Sequence, residues 1–364
     1  MSLNRDTSKK KYIAVSVLII GALSFIYAGI ATWLAPFHET PSSKSQVAGA
    51  ILNTPVLLDT EATSTLSVVH VKTPDAVKGA YMSSWVAATP SIRNRVVNIA
   101  NTTEINALMI DIKDYSGRIS YEVTDPGLRA TGAVEKRIRD IRGLLSELHS
   151  QNIYVIGRIA VFQDQYFASS TPEDAVKSKS TGKLWQDDKG MRWIDPSSKK
   201  MWNFIVATAK DAYSQGFDEI NFDYIRYPSD RKISDMSFPL SGDRPKAEII
   251  KEFFQYLNGQ MKTAGITTSA DIFGLTTTSK NDLNIGQVLE VALANFDYVS
   301  PMVYPSHYPI GFQGYSNPAE HPYEVIQYAM KSGVTRAIAA STTPLKLRPW
   351  LQDFDMGADR KSVV

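Results

Sequence analysis

The stretch "GFDEINFDYIRYPSD" (residues 216–230) holds the first residues whose types and spacing could do chemistry. It reads as a buried strand, yet period-two alternation puts Glu219, Asn221 and Asp223 on one face and Ile220, Phe222 and Tyr224 on the other. An inward carboxylate is costly unless it is paired or hydrogen-bonded. Arg226, close by in sequence, and Arg158, from another strand, are the candidate partners of Asp223. A second inward acid, Asp271, ends the stretch "ITTSADIF" (266–273) between apolar neighbours. Two carboxylates on adjacent strands suit acid–base or nucleophile–acid chemistry of the kind used on glycosidic bonds. Asp223, beside a guanidinium, suits the ionised nucleophile or charge stabiliser, and Asp271 suits the acid. A separation of about 5–5.5 Å would retain configuration and about 6.5–9.5 Å would invert it. If Asp271 points away, Asp111 or a residue of the loop after the sixth strand becomes the acid.

Other polar residues fall at the ends of apolar runs. Asp111 and Lys113 close "NALMIDIK" (106–113), where Asp111 could equally pair with Lys113. Arg158 lies in "IYVIGRIAV" (153–161), Arg226 and Tyr227 follow Asp223, and Tyr304 and His307 follow "DYVSPMVY" (297–304). Residues 162–196 make too long a connector to be idle, and they carry Trp185 and Trp193 among charged residues. Exposed there, the two indoles would stack on sugar rings, although Trp193 could instead pack ahead of a capped helix. Asp111, Lys113, Arg158, Trp185, Trp193, Arg226, Tyr227, Tyr304 and His307 are thus the expected substrate-binding set.

The elements that must position these residues alternate from residue 77 onward. Apolar strands are predicted at 77–82, 106–113, 153–161, 218–224, 266–273, 297–304 and 335–341, with amphipathic helices between them. Ile249, Ile250, Phe253, Phe254, Leu257 and Met261 form one helical stripe. Such alternation implies a parallel sheet covered by helices, and seven strands in this length fit a (β/α)8 TIM barrel lacking its last strand. Residues 65–72, "TLSVVHVK", are the one upstream candidate for the eighth. In such a barrel the chemistry sits at the C-terminal strand ends. Neither a G-x-G-x-x-G after the first strand nor a P-loop is present.

The chain of 364 residues is 43% apolar and 21% charged, with a net charge of +2. That balance, with no basic stripe, gives no argument for nucleic acid. The absence of cysteine excludes thiol nucleophiles and disulfides, and the five scattered histidines make metal chemistry a weak reading, so neither cofactor nor metal is expected. Residues 12–37 carry no charge and are preceded by Arg5, Lys9, Lys10 and Lys11. This is the pattern of an uncleaved transmembrane signal anchor, single-pass in the plasma membrane, with residues 1–11 cytoplasmic and the remainder outside. Residues 38–74, rich in Ser, Thr and Pro, read as a linker from the membrane to a barrel over residues 75–364.

"KGAYMSSW", "ALMIDIKDYSGRISYE", "GRIAVFQD", "WIDPSS", "GFDEINFDYIRYPSD", "SADIFG", "VSPMVYPSHY" and "RPWLQDF" occur in the order seen in a bacterial family of glycosyl hydrolase domains, which this chain resembles. The resemblance spans about residues 77–355. It implies a TIM barrel that hydrolyses O-glycosyl bonds of a polysaccharide or oligosaccharide, with the fourth-strand acid, Asp223, catalytic. Related families place the second acid on strand five or six, so the resemblance specifies Asp271 less closely. Family members continue past "PWLQDF" into a last helix and strand, whereas this chain ends in "DRKSVV", which implies a shortened barrel. A carbohydrate-binding or scaffold barrel without turnover is the alternative, and a metal-dependent deacetylase is disfavoured by the sparse histidines.

Overall fold

The computed structural model describes residues 68–229 and 233–354. The expected cytoplasmic segment and membrane anchor, and the linker up to residue 67, lie outside these residues. Among the described residues, no helix is long and apolar enough to cross a membrane.

The chain order is β1 (Gly79–Met82), α1 (Ser84–Ala88), α2 (Pro90–Thr102), β2 (Ala107–Lys113), β3 (Ile119–Tyr121), α3 (Pro126–Ala130), β4 (Val134–Ile138), α4 (Ile141–Ser150) and β5 (Tyr154–Ala160). There follow α5 (Gln165–Ser170), β6 (Lys177–Ser178), α6 (Lys199–Gln215), β7 (Glu219–Asp223), β8 (Met236–Ser237), α7 (Lys246–Thr263), β9 (Thr267–Phe273), α8 (Leu289–Asn295), β10 (Tyr298–Met302) and α9 (Pro322–Ala339). Strands β1, β2, β5, β7, β9 and β10 are successive parallel neighbours, so this is an α/β fold around a parallel sheet. Beyond β10, Leu347 and Trp350 bridge in parallel to Val299 and Met302 and occupy a seventh position. Among the described residues nothing pairs segment 347–350 with β1.

The sheet's two faces differ in kind. Leu108, Ile110, Val155, Ile159, Ile220, Phe222, Ala270 and Val299 point to the helices and are fully buried. Helix α7 supplies Ile249, Ile250, Phe253, Phe254, Leu257 and Met261 to that layer, each worth roughly 1.5–3 kcal/mol when removed from water. Helix α6 is held at both ends: the Ser198 side chain accepts the Met201 N–H, and Gly216 takes a φ of 121° that few other residues adopt. The opposite face is polar. Asp111 pairs in register with Arg158, Arg158 with Asn221, and Asn221 with Ser269. Side chains meet across it from well-separated strands, as when Arg348 Nη1 beside β10 donates to Glu219 Oε2 on β7 at 2.9 Å. The sheet therefore curls around its polar face.

Two expectations change. Of residues 335–341, read as the last strand, 335–339 form the end of α9 and the last two the turn that leaves it. In that helix Val325, Ala329, Gly333 and Ala337 are buried at every fourth position, a helical period, and Ala and Arg are strong helix formers. The seventh sheet position goes to segment 347–350, which looked like tail. Residues 68–74 are also not free linker, nor do they add a strand beside β1. Val71 and Val77 pack on Ala107, Met109, Tyr154 and Ile156 instead. The Val71 N–H donates to Asp218 Oδ1 at 2.7 Å, and the Thr73 hydroxyl lies 3.1 Å from that of Tyr154.

Asp218 is the anchor of this crossing. Its Oδ2 also accepts the Val155 N–H at 2.7 Å and lies 3.0 Å from His149 Nε2, while Oδ1 lies 3.7 Å from His70 Nδ1. Replacing it orphans one buried N–H donor, that of Val155, and one part-buried donor, that of Val71. D218A is expected to lower the unfolding free energy by roughly 3 kcal/mol in urea titration, and to make cleavage before residue 77 by added protease faster.

Candidate active site

The site grows from one cation, Arg158 on β5. Its Nη1 donates to Asp111 Oδ1 at 2.7 Å, its Nε to Asp223 Oδ2 at 3.2 Å, and its Nη2 also to Asp223 Oδ2. The same Nε lies 4.0 Å from Asp271 Oδ2. Register explains the convergence: Asp111, Arg158, Asp223 and Asp271 all stand on the polar face near the C-terminal ends of consecutive parallel strands. Laid end to end, the 3.2 and 4.0 Å contacts on Nε keep the two carboxylate oxygens inside the roughly 9.5 Å upper limit for a glycosidase pair.

Each carboxylate has further partners. Asp111 Oδ2 accepts the Tyr81 hydroxyl at 2.6 Å. Asp223 Oδ1 accepts the Tyr224 N–H at 2.6 Å. Tyr224 itself has a φ of 52°, a left-handed conformation that an aromatic residue rarely takes. That turn is fastened by two N–H donors from the end of β5, Val161 to the Asp223 carbonyl at 2.9 Å and Phe162 to the Tyr224 carbonyl at 3.2 Å. Asp271 Oδ1 accepts Asn221 Nδ2 and Trp350 Nε1, both at 2.9 Å. With that oxygen doubly occupied, a proton on the carboxyl belongs on Oδ2, towards Arg158 and Asp223.

A cavity of about 810 Å³ opens beside this cluster, lined by Asp223, Tyr224, Arg226, Tyr304 and His307. Gln163, Asp187, Asp188, Lys189 and Met191 of the long loop line it too. Asp187 is a fixed part of the wall: its oxygens accept N–H donors from Gln163, Lys189, Met191 and Trp193. Asp188 is exposed. Asp271, only 2% exposed, is not on the cavity wall but behind it.

Several expected binding residues are turned elsewhere. A bulge in β2 sets Lys113 opposite outward-facing Ile159, so Lys113 is fully buried and pairs with Asp164 at 2.7 Å. Trp185 and Trp193 have 3% and 0% of their surface exposed, and so offer no stacking face. Backbone bridges fold the long loop back on itself and enclose both rings. The Trp193 indole lies beneath Arg226, whose guanidinium is 4.8 Å from the ring centroid. The guanidinium paired with Asp223 is that of Arg158. Tyr227 is buried, its hydroxyl 2.7 Å from Ser241 Oγ. Tyr304 and His307 do line the cavity, and Asp111 and Arg158 stand in the carboxylate cluster. Sequence reasoning missed Tyr81, Trp350 and Arg348. The last two were invisible because their segment was not recognised as part of the sheet, whereas the alternation in "VKGAYM" could have singled out Tyr81.

Burial, more than anything else, raises the Asp271 carboxyl, and the Asp223 charge adds to it; Arg158 and the Asn221 and Trp350 N–H donors offset this only in part. The group is pushed up from 3.8 to about 8. Burial and the same two aspartates also raise the Tyr304 phenol, which stays protonated as a donor. Because folded Asp271 holds its proton where the unfolded chain releases it, stability is lost as pH climbs from about 3.8 towards about 8. D271N cannot ionise and should flatten that decline, read as the difference between thermal melts near pH 5 and near pH 9.

Several solved structures resemble this one. A hypothetical protein from Ruminiclostridium thermocellum ATCC 27405 is 39% identical over 52% of this chain and 96% of its own, with a TM-score of 0.48. The PgaB (BpsB) glycoside hydrolase domain from Bordetella bronchiseptica shares the fold, with a TM-score of 0.50 and 11% identity over 73% of this chain and 81% of that one. An alpha-galactosidase from Thermus thermophilus aligns over 81% of this chain and 55% of its own, at 11% identity and a TM-score of 0.46. No curated protein matches the sequence. Residues 79–363 match the family described as "Putative glycosyl hydrolase domain", and the chain belongs to that family.

Proposed function

We propose that the cleft hydrolyses glycosidic bonds of a polysaccharide or oligosaccharide with the carboxylate pair Asp223 and Asp271. The supporting observation is two acids on one guanidinium in unequal surroundings. Asp223 lines the cavity and is ion-paired to Arg158, while Asp271 is buried and keeps its proton to about pH 8. Near neutral pH a protonated Asp271 thus stands beside an ion-paired Asp223, the division of labour that acid-assisted glycoside cleavage needs. Asp223, ionised, faces the positive charge that develops on the sugar ring. The Asp271 proton goes to the departing oxygen as the glycosidic C–O bond breaks, and a water supplies both the hydroxyl that takes its place on the sugar and the proton that restores the pair. Tyr304, a neutral donor on the wall, orients the substrate. Arg158 holds Asp223 in place and limits the repulsion between the two acids. In this reading the curled sheet is a (β/α)8-type barrel in which segment 347–350 and β1 are not paired with each other among the described residues, and residues 12–37 would tether it to the outer face of the membrane.

A second reading takes Asp188 as the acid, because it is exposed on the cavity wall and Asp271 is not. Leaving-group dependence separates the two. D223N should lower sugar release at least about 1,000-fold from glycans and activated aryl glycosides alike. The variant lacking the acid should fail on glycans yet keep activity on aryl glycosides that depart without protonation. D271N is expected to show that pattern, and D188N showing it would transfer the role. Release from glycans by the parent protein should also fall as pH rises through about 8, with that limb absent on activated aryl glycosides, which need no proton from Asp271. Retained glycan binding with no release by the parent protein would favour a binding barrel without turnover.

A further inference from the structure

The buried state of Trp185 and Trp193 leaves open which aromatic rings a sugar chain would meet. Large exposed rings do occur at the cavity end of the sheet: Tyr81, Trp85 and Tyr115 are 48%, 58% and 52% exposed. We propose that these three side chains form a binding surface for a polysaccharide chain running out of the cavity. The proposal rests on the carbohydrate-cleaving reading of the cleft and makes its ligand an extended polymer.

The three rings follow the C-terminal ends of neighbouring strands, Tyr81 within β1, Trp85 in α1 just after it, and Tyr115 just after β2. Tyr115 lines the cavity that Asp223 also lines, so the surface is continuous with it. Tyr81 is fixed by its 2.6 Å hydrogen bond to Asp111, which in turn binds Arg158. Arg137 ties the remaining two together. Its guanidinium lies 4.7 Å from the Trp85 ring centroid, and it donates to Ser84 Oγ at 3.0 Å, Asp114 Oδ2 at 2.6 Å and Ser116 Oγ at 3.1 Å. The Arg137 side chain is 4% exposed, so the bracket beneath Trp85 is built before any ligand arrives. Exposed rings rimmed by polar groups mark interaction surfaces. Here the flat exposed faces of Tyr81, Trp85 and Tyr115 match the apolar C–H face of a pyranose, and their continuity with the cavity leads a sugar chain into the cleft.

The test uses full-length D223N protein in native gels cast with glycol chitin, xylan, galactomannan or dextran, with mobility read against polysaccharide concentration. Retardation by at least one polymer is expected. W85A should weaken it about tenfold or more, W85F should restore much of it, and Y115A should change it in the same direction. Circular-dichroism melts report folding, and if W85A does not fold, Y115A and W85F decide the outcome. No retardation by any of the four, or equal retardation of parent, W85A and Y115A, would overturn the proposal. So would a change of oligomeric state in W85A with retardation intact, since that marks a protein interface. Sugar release by the parent with retardation independent of these rings leaves the hydrolase reading standing alone. Ring-dependent retardation without sugar release does the reverse.

Discussion

One guanidinium among three carboxylates is the constraint around which this fold is arranged. Arg158 touches Asp111 and Asp223 and faces Asp271, all inside a sheet whose other face is hydrocarbon. Arg158 pairs with Asp111 and Asp223, while burial, with the Asp223 charge beside it, favours the protonated form of Asp271. The neighbouring donors then fall into place. Tyr81 occupies the spare oxygen of Asp111, the Tyr224 N–H that of Asp223, and Asn221 with Trp350 one oxygen of Asp271. Removing Arg158 would expose each acid to the others, so the cluster acts as one unit.

Much of this was legible in the sequence, and the reasons for the rest are physical. Strands that carry apolar residues outward and acids inward announce themselves by a period of two, which is how residue types alone pair Asp223 with Asp271. Lys113 broke the pattern because a bulge is a backbone event with no mark in residue type. Trp185 and Trp193 are buried against expectation because exposure in a long loop depends on how the loop folds back on itself, here through bridges such as Gln163 to Trp193 and Gln186 to Arg192 that residue type does not announce. "TRAIAAS" has too few β-branched residues to favour a strand, and its alanines serve a helix that needs small residues on one face. The segment containing Trp350 comes just after it, and with the last strand placed too early its own pairing went unseen. Register, not composition, gives Arg348 and Trp350 their meaning.

The polar face is also layered. Near the C-terminal strand ends stands the carboxylate cluster, and deeper down Glu219 accepts from Tyr154 and Arg348, a second set of charges walled off from the cavity. Arg348 covers the Tyr298 ring at 3.0 Å from its centroid, closing that layer. The deeper layer fixes segment 347–350 against β10 and β7, and so fixes the indole that reaches Asp271. Packing at the bottom of the sheet thereby sets the placement of an acid near the top.

The crossing of residues 68–77 beneath the strands has a mechanical meaning. The chain enters the domain at the ends of β5 and β7 opposite the cavity, and Asp218 grips it there through the Val71 N–H. Tension drawn along that entry would load the grip in shear against the 2.7 Å Val71 hydrogen bond, the Thr73–Tyr154 contact and the apolar plugs Val71 and Val77. The length of the strands stands between that load and Arg158. A domain pulled from its leading end would therefore yield first at its base, with its carboxylate cluster still assembled.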